Sequence, residues 1–404
     1  MSETIHDVAI IGGGLIGPAL ALALHGVGFR VAVLDGAPVA TRGAPGFDGR
    51  AYAVAPASRH LLQAIGVWAR IEAHAQPMRD IVVGEGPGSP RLLHFDPRLI
   101  GADKNGWMIE DRHLRGALLD ALREAGIAQI APARVERAEA GPGTTQLHLA
   151  GGDTVRARLG VVAAGRRPAL AAQAGIGRIG WPYRQTGLVN AIEHEHDHQG
   201  LAHQSFFPGG PFAVLPLPGR RCQIVWSETA ARAKALARLD DTAFAGVLRE
   251  RIGERLGALR LIGRRWAYPL DLSLAERYCA PRLALAGDAA HGIHPIAGQG
   301  MNLGLRDVAA LTEVLAEAAG IGEDIGDERV LRRYQRWRRF DAVSFSLAMD
   351  ALNRLFSNDS SALSALRRAG LAAVQALPGA RRTFLREASG EMGEVPKLLR
   401  GVPL

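Results

Sequence analysis

The sequence predicts a mixed α/β protein: a parallel, βαβ-type domain interleaved with an antiparallel-sheet lobe and closed by a helical C-terminal segment. Three observations predict it. A β-branched run, Asp7 to Ile11, stops at glycines and passes into a helical pattern; a second apolar run, Leu283 to Ala286, does the same; between them, from about Trp181, turn-punctuated segments alternate apolar and polar residues. At 404 residues the chain exceeds what one core usually holds. The division expected is 1–180 with 280–345 for the discontinuous parallel domain, 181–279 for the sheet lobe and 346–404 for the helical segment.

The first element is the run "DVAII", followed at once by "GGGLIGPALALALHGVG". Gly12, Gly14 and Gly17 have the spacing GxGxxG. The first permits the turn, the second lets a pyrophosphate reach the backbone, and the third lets helix and strand pack closely. Pro18 suits a helix start, and Gly26 and Gly28 suit its end. The next apolar run, "FRVAVLD", closes on Asp35, where a carboxylate can accept hydrogen bonds from a ribose. A bound dinucleotide is predicted; this segment alone leaves FAD and NAD(P) open.

The stretch "PRLALAGDAAHGIHPIAGQGMNLGLRD" supplies the second element. Its strand ends at Gly287 and Asp288, which could hold a second set of ribose or phosphate groups. Beyond Pro295, Gly298, Gly300 and Asn302 precede a helical run through Met301, Leu305, Val308, Leu311 and Leu315. Free N–H groups at that helix start favour an anion. A reduced isoalloxazine is anionic on its pyrimidine edge and gains from such a helix end, whereas nicotinamide does not, so the reading is FAD.

The middle of the chain contains "TGLVNAIEHEHDH", "FAVLPLP" and "CQIVWSE", which predict an antiparallel sheet. His194, His196 and His198 alternate there, and a strand would place all three on one face. A solvated strand of mixed charge explains them as well as a metal platform does, and no metal is expected. The C-terminal segment carries Leu363, Leu366 and Leu371 at helical spacing with Arg367, Arg368, Arg381 and Arg382. It reads as a packed helical cap or as a basic amphipathic surface for a membrane or a partner.

Composition removes several classes. The formal charge is +8, yet of 48 Lys and Arg only Lys104, Lys234 and Lys397 are Lys, and they form no basic block, so nucleic acid is not an expected partner. Cys222 and Cys279 stand alone, without a disulfide framework. No run spans a membrane and the start does not read as a secretory signal, so a cytoplasmic location is expected, with peripheral attachment to an anionic membrane surface kept open. No Ser/His/Asp nucleophile arrangement is visible.

The run Gly287 to Val308, "GDAAHGIHPIAGQGMNLGLRDV", resembles the group A FAD-dependent aromatic hydroxylases of the p-hydroxybenzoate hydroxylase fold, and within them the ubiquinone-biosynthesis branch. The likeness extends to "DGRAYAVAPAS" (Asp48 to Ser58), "IEDRHLRGALLDAL" (Ile109 to Leu122), "FFPGGPFAVLPLP" (Phe206 to Pro218) and "ALNRLFSNDSSALSALRRAGL" (Ala351 to Leu371). It implies a Rossmann-like FAD domain with Gly12, Gly14, Gly17 and Asp35 on the ADP half, and Arg50 and Arg112 as polar contacts. Asp288 would meet the ribityl and phosphate region, with Pro295, Gly298, Gly300 and Asn302 beside the ring. It further implies a sheet roofing the flavin, with Phe206, Phe207, Phe212, Leu215 and Trp226 lining a pocket for an aromatic ring, and His291 and His294 as candidates for moving protons.

The activity implied is NAD(P)H- and O2-dependent hydroxylation of a phenolic, polyprenylated quinone precursor, with NAD(P)H docking transiently because only one GxGxxG turn is present. Association with a membrane or a biosynthetic complex would follow from such a substrate. One departure weakens the nicotinamide part: the family usually has Ala-Asp-Gly followed by Ser and Arg, whereas "VVAAGRRPAL" has Ala164 and Pro168, with Arg166 and Arg167 left to attract phosphates. A non-catalytic FAD-binding accessory protein is therefore the competing reading. An FAD halogenase or reductase on the same scaffold is the other, although "GWPYRQ" poorly imitates a halogenase WxWxIP segment.

Overall fold

A computed structural model of the chain describes residues 5–86, 93–166, 168–358, 374 and 377–404. Its central sheet has parallel strands in the spatial order Ala128–Ile130, Val31–Leu34, Ile5–Ile11, Thr154–Val162 and Leu283–Leu285. Val8 to Ile11 form an unbroken buried apolar run because this strand lies inside the sheet with both faces covered. Leu20 and Leu24 of helix Ile16–Gly26, Leu118 and Leu122 of helix Asp111–Glu124, and Val308 and Leu311 of helix Gly300–Gly320 join the same core. Gly304 permits the closest approach: a Cβ there would lie 2.7 Å from Ile16 Cδ1.

The second sheet runs in the order His291–Gly292, Leu259–Ala275, Arg178–His194, Arg221–Thr229, Gly210–Leu217, Leu201–Phe207, Asp80–Glu85 and Leu93–Phe95. Its spine is a pair of antiparallel 17-residue strands, Arg178–His194 and Leu259–Ala275. The sheet is thus wider than the segment 181–279 expected for it. It takes Asp80–Glu85, which pairs in parallel with Leu201–Phe207, from the N-terminal stretch, and His291–Gly292 from the second glycine loop. Alternation marks a strand but not its partner, and a partner more than a hundred residues away leaves no local trace. A three-stranded sheet of Ala51–Val54, Gly106–Glu110 and Gln76–Met78 packs against strand Gly210–Leu217 of the second sheet and helix Gly300–Gly320.

Helix Glu328–Phe356 also crosses an expected boundary, at 345/346, running 29 residues with no Gly or Pro to break it. It buries Tyr334, Arg338, Ala342, Ser346, Asn353 and Phe356. Farther on, helix Pro378–Ser389 leads to a turn, Lys397–Arg400, that inserts Leu398 and Leu399 into the main core and accepts a hydrogen bond from His60 Nδ1 at the Leu399 carbonyl, 3.0 Å. Of the tail residues singled out above, Leu363, Leu366, Leu371, Arg367 and Arg368 lie outside the described residues. Among the described residues, no helix is long and apolar enough to cross a membrane.

Candidate functional site

Parallel strands end their hydrogen-bond ladders along one edge, and the chain leaves this edge at three turns that matter. The Ala163 N–H donates to Ile11 O at 2.8 Å, the Ala286 N–H to Val162 O at 3.0 Å, and the Gly12 N–H to Leu34 O at 2.8 Å. Strands Ile5–Ile11 and Leu283–Leu285 are separated by a single strand, so Gly12 and Gly287 leave the sheet about 10 Å apart. The two glycine-punctuated strand ends therefore meet in space although 275 residues separate them.

The first turn is shaped by contacts that only glycine allows. A Cβ on Gly12, at φ +124°, would lie 2.5 Å from Ala163 O, and one on Gly17 would lie 1.9 Å from Gly12 O. At Gly14 an added Cβ would meet nothing within 4 Å, so this residue faces open space. Gly13, not singled out in the sequence, is as constrained as its neighbours: a Cβ there would be 2.3 Å from Asp35 Oδ2. The run of three consecutive glycines was the signal.

Asp35, at the end of Val31–Leu34, accepts the Ala37 N–H at 2.9 Å and a bidentate pair from Arg42 at 2.8 and 3.0 Å. Burial alone would raise its carboxyl, but Arg42 and the Ala37 and Gly13 N–H groups hold it below the usual range, so it stays an ionised acceptor. Beside it, a shallow cleft is lined by Gly13, Pro18, Val33, Asp35, Arg42 and Leu119.

At the second turn, Asp288 sits in a 3₁₀ turn, Gly287–Ala289, with its side chain 44% exposed. Arg166 reaches it from the strand next door: Nε lies 3.3 Å from Asp288 Oδ2, Nη1 lies 2.8 Å from Asp271 Oδ1, and Nη2 donates to Ile293 O at 3.0 Å. Arg166 thus knits the "AAGRR" segment to the second glycine loop, while Arg167 lies outside the described residues. Beyond Pro295, helix Gly300–Gly320 begins. Gly300 is open in the way Gly14 is, with no heavy atom within 4 Å of an added Cβ, and Gly298, at φ +63°, abuts Ala53.

Arg50 and Arg112 are neighbours across the paired strands Ala51–Val54 and Gly106–Glu110. Arg50 pairs with Asp48 at 2.7 Å and Asp111 at 3.3 Å and lies over the Trp266 ring, while Arg112 pairs with Glu110 at 2.8 Å. Both side chains remain 30% exposed. Asn302 has its amide committed to protein: Oδ1 accepts the Ala55 N–H and Nδ2 donates to Ala53 O, both at 2.9 Å.

Neither candidate proton carrier reaches open space. His291 and His294 are each 1% exposed. His291 Nε2 lies 2.6 Å from Asp307 Oδ2, and His294 Nε2 lies 3.3 Å from Gln185 Oε1, which also accepts from Asn353 Nδ2 at 3.0 Å. Burial and the nearby Arg166 push the His294 imidazole down to about 3, so it is neutral. Each ring is thus held at Nε2 by a side chain inside the protein. Asp307, Gln185 and Asn353 are the residues that sequence reasoning missed here; polar positions inside helical and strand patterns were the available signal.

The expected pocket residues divide between the two faces of the roof. Phe212 and Trp226 point outward, where they pack with Leu188, Ile224, Leu236 and Phe244 under helices Ala230–Ala237 and Asp241–Ile252. This corrects their expected place under the roof: alternation along Gly210–Leu217 and Arg221–Thr229 puts them opposite Leu215. Phe207 shares the outer face, edge-on to Phe212. Leu215 points inward with Met78, Met108 and Ala53 of the other domain, and Phe206 is stacked on Phe356 at 4.1 Å. The three histidines do not share one strand face, because the strand ends at His194: the His194 and His198 rings meet edge-on at 5.6 Å and bond backbone carbonyls at His196 and Leu217, while His196 is exposed. Among the described residues no three His, Cys, Asp or Glu converge as a metal site.

A family model described as FAD binding domain matches residues 6–343. This chain belongs to that FAD-binding family. Ubiquinone hydroxylase UbiL of Rhodospirillum rubrum is 43% identical to this family member over 407 residues, covering 100% of the chain and 94% of the relative. The 3-demethoxyubiquinol 3-hydroxylase of Escherichia coli K12 is 34% identical, over 96% of this chain and 100% of its own. Among solved structures, p-nitrophenol 4-monooxygenase PnpA from Pseudomonas putida DLL-E4 has the same fold, with a TM-score of 0.80 at 20% identity over 97% of this chain and 99% of that one. The residues of this FAD-binding chain fit the cofactor by their own geometry: two open glycines, Gly14 and Gly300, lie at two helix starts, and an ionised Asp35 stands beside the cleft at Gly13.

Proposed function

We propose that the protein is an FAD-dependent monooxygenase that hydroxylates the phenolic ring of a polyprenylated quinone precursor in ubiquinone biosynthesis, with NAD(P)H as transient reductant and O2 as co-substrate. The observation that carries the reading is end-to-end similarity to ubiquinone hydroxylases, 43% identity with no unmatched segment in this chain. The antiparallel sheet, with Leu215 on an apolar inner face beside Met78 and Met108, agrees with it.

In this reading Gly12 to Gly17 hold the pyrophosphate at the start of helix Ile16–Gly26, Asp35 holds the adenosine ribose, and Asp288 meets the ribityl chain. Gly300, at the start of helix Gly300–Gly320, presents its backbone N–H to the ring's pyrimidine edge, an electrostatic contribution fixed before any substrate arrives, while the Gly298 N–H is spent on Pro295 O. Arg50 and Arg112, each 30% exposed, would be polar contacts of the cofactor. FAD, when bound, supplies the redox chemistry between nicotinamide, O2 and the phenol. The protein's share is to orient the ring beneath the roof and exclude water. A polyprenyl tail would keep the enzyme at a membrane surface or in a complex there.

Ala164 favours a second reading, an FAD-binding accessory protein without turnover, because no carboxylate at that position can serve a nicotinamide. The two separate in one assay. Purified holoprotein is mixed with NADH or NADPH and a short-chain prenylphenol, and products are read by mass spectrometry. A product heavier by one oxygen supports the monooxygenase. Yellow protein that neither oxidises NAD(P)H faster with the phenol present nor yields that product refutes it and supports the accessory role.

A further inference from the structure

Asp307 lies on helix Gly300–Gly320, three residues beyond Gly304, where the helix passes the second glycine turn. It is fully buried. Its Oδ2 accepts the Gly287 N–H at 2.9 Å and lies 2.6 Å from His291 Nε2, while Oδ1 accepts Nε–H of Arg338 at 2.9 Å. Gly287 and His291 bracket the short segment that contains Asp288. One carboxylate therefore holds both ends of that segment, and Asp288 lies between them, next to Gly287.

A buried charge of this kind adds little to stability that well-packed apolar residues could not supply. Removing one partner, by contrast, strands the others. Arg338, itself 1% exposed, neutralises Asp307 from helix Glu328–Phe356 and is in turn ion-paired to Asp341. Burial would raise the Asp307 carboxyl, yet His291, Arg338 and the Gly287 N–H together hold it below the usual range, so the acceptor is ionised. An apolar core could fill this volume, but it could not fix the N–H of a glycine at φ +62° or orient an imidazole.

We infer that Asp307 is a positioning residue for the cofactor: clamped by Arg338, it sets the Gly287–His291 segment and so the place of Asp288 relative to bound FAD. The inference rests on Asp288 meeting FAD, as proposed above, and not on the hydroxylation. A purely structural Asp307 would change the melting temperature alone. A positioning Asp307 changes how the flavin is held.

The test uses full-length apoprotein titrated with FAD, following fluorescence quenching and the visible absorbance of bound flavin, with far-UV circular dichroism to verify folding. Asp307→Asn keeps the side-chain shape but loses the charge. It should raise the Kd for FAD by about tenfold, equivalent to ~1.4 kcal/mol, and shift the band shape of the flavin that binds. His291→Asn leaves the Gly287 tie and should give a smaller rise, about threefold, in the same direction; it decides the matter if Asp307→Asn does not fold. Folded variants with wild-type Kd and an unchanged flavin spectrum overturn the inference. Wild-type protein that binds FAD but hydroxylates nothing overturns the proposed activity and leaves this inference standing, whereas wild-type protein that binds no FAD overturns both.

Discussion

Asn302 and Ala55 are 247 positions apart in the chain and are joined by a 2.9 Å hydrogen bond from the Ala55 N–H to Asn302 Oδ1. With the second bond, from Nδ2 to Ala53 O, it fastens the start of helix Gly300–Gly320 to strand Ala51–Val54. The Ala53 carbonyl and the Ala55 N–H have their partner in this one amide, and the helix start is fixed in consequence.

Asn302→Asp should therefore destabilise the protein. It keeps the acceptor but places a second oxygen against Ala53 O in a buried site, for an expected loss of about 1–3 kcal/mol. Urea unfolding of the two proteins measures it; a difference within about 0.5 kcal/mol would contradict the assignment.

Gly14 and Gly17 should respond in opposite ways to an added methyl. Gly17→Ala drives a Cβ to within 1.9 Å of Gly12 O and should lower stability by about 1–3 kcal/mol or abolish folding. Gly14→Ala meets no protein atom, so the apoprotein should melt as wild type does while FAD binding falls. Differential scanning fluorimetry without cofactor, followed by FAD titration, separates the two. Equal melting losses in both variants would show that Gly14 has no special relation to the cofactor.

His294 predicts an acid limb in stability. Its folded value, about 3, lies below the ordinary 6.5 because burial and Arg166 disfavour the charged ring. The neutral form is then favoured by folding, and that contribution is complete above about pH 6.5. It is lost as pH falls toward 3, at up to about 1.4 kcal/mol per pH unit. The stability difference between wild type and His294→Asn, measured by denaturant titration from pH 7.5 to 4.5, should narrow on acidification. A difference independent of pH would mean that the imidazole is not held neutral.

The two faces of the roof make a further distinction. Trp226→Ala empties part of the outer core beside Phe212 and Phe244 and should cost about 3–5 kcal/mol. The milder Trp226→Phe should lower the melting temperature while the KM for a phenolic substrate stays unchanged. Leu215→Phe, on the inner face, should alter that KM with a smaller effect on melting. The reverse pattern in steady-state kinetics and melting curves would mean the faces are exchanged.

The central sheet was legible because its strands are buried on both faces and end at glycines; "DVAII" before Gly12 and "LALA" before Gly287 announce both turns. Asp35 was legible from its distance beyond the first turn. What escaped was pairing at long range: nothing in "DIVVGE" says that it lies beside Leu201–Phe207. Facing escaped too, because Phe212, Trp226 and Leu215 are equally apolar and only the helices over one face decide which side is which. His291 and His294 looked reactive in a loop, and the loop proved to bury them.

The strand Asp80–Glu85, with Leu93–Phe95 on its outer side, lies beside Leu201–Phe207 and completes a sheet whose remaining members are made much later on the ribosome. Severing the gene near residue 178 would leave an upstream product with a hanging ribbon and a downstream product with a bare lateral edge, open to strangers of similar shape. The halves of this molecule are best regarded as mutual scaffolds, and anyone wishing to graft its roof onto another flavoprotein must transplant a segment from each.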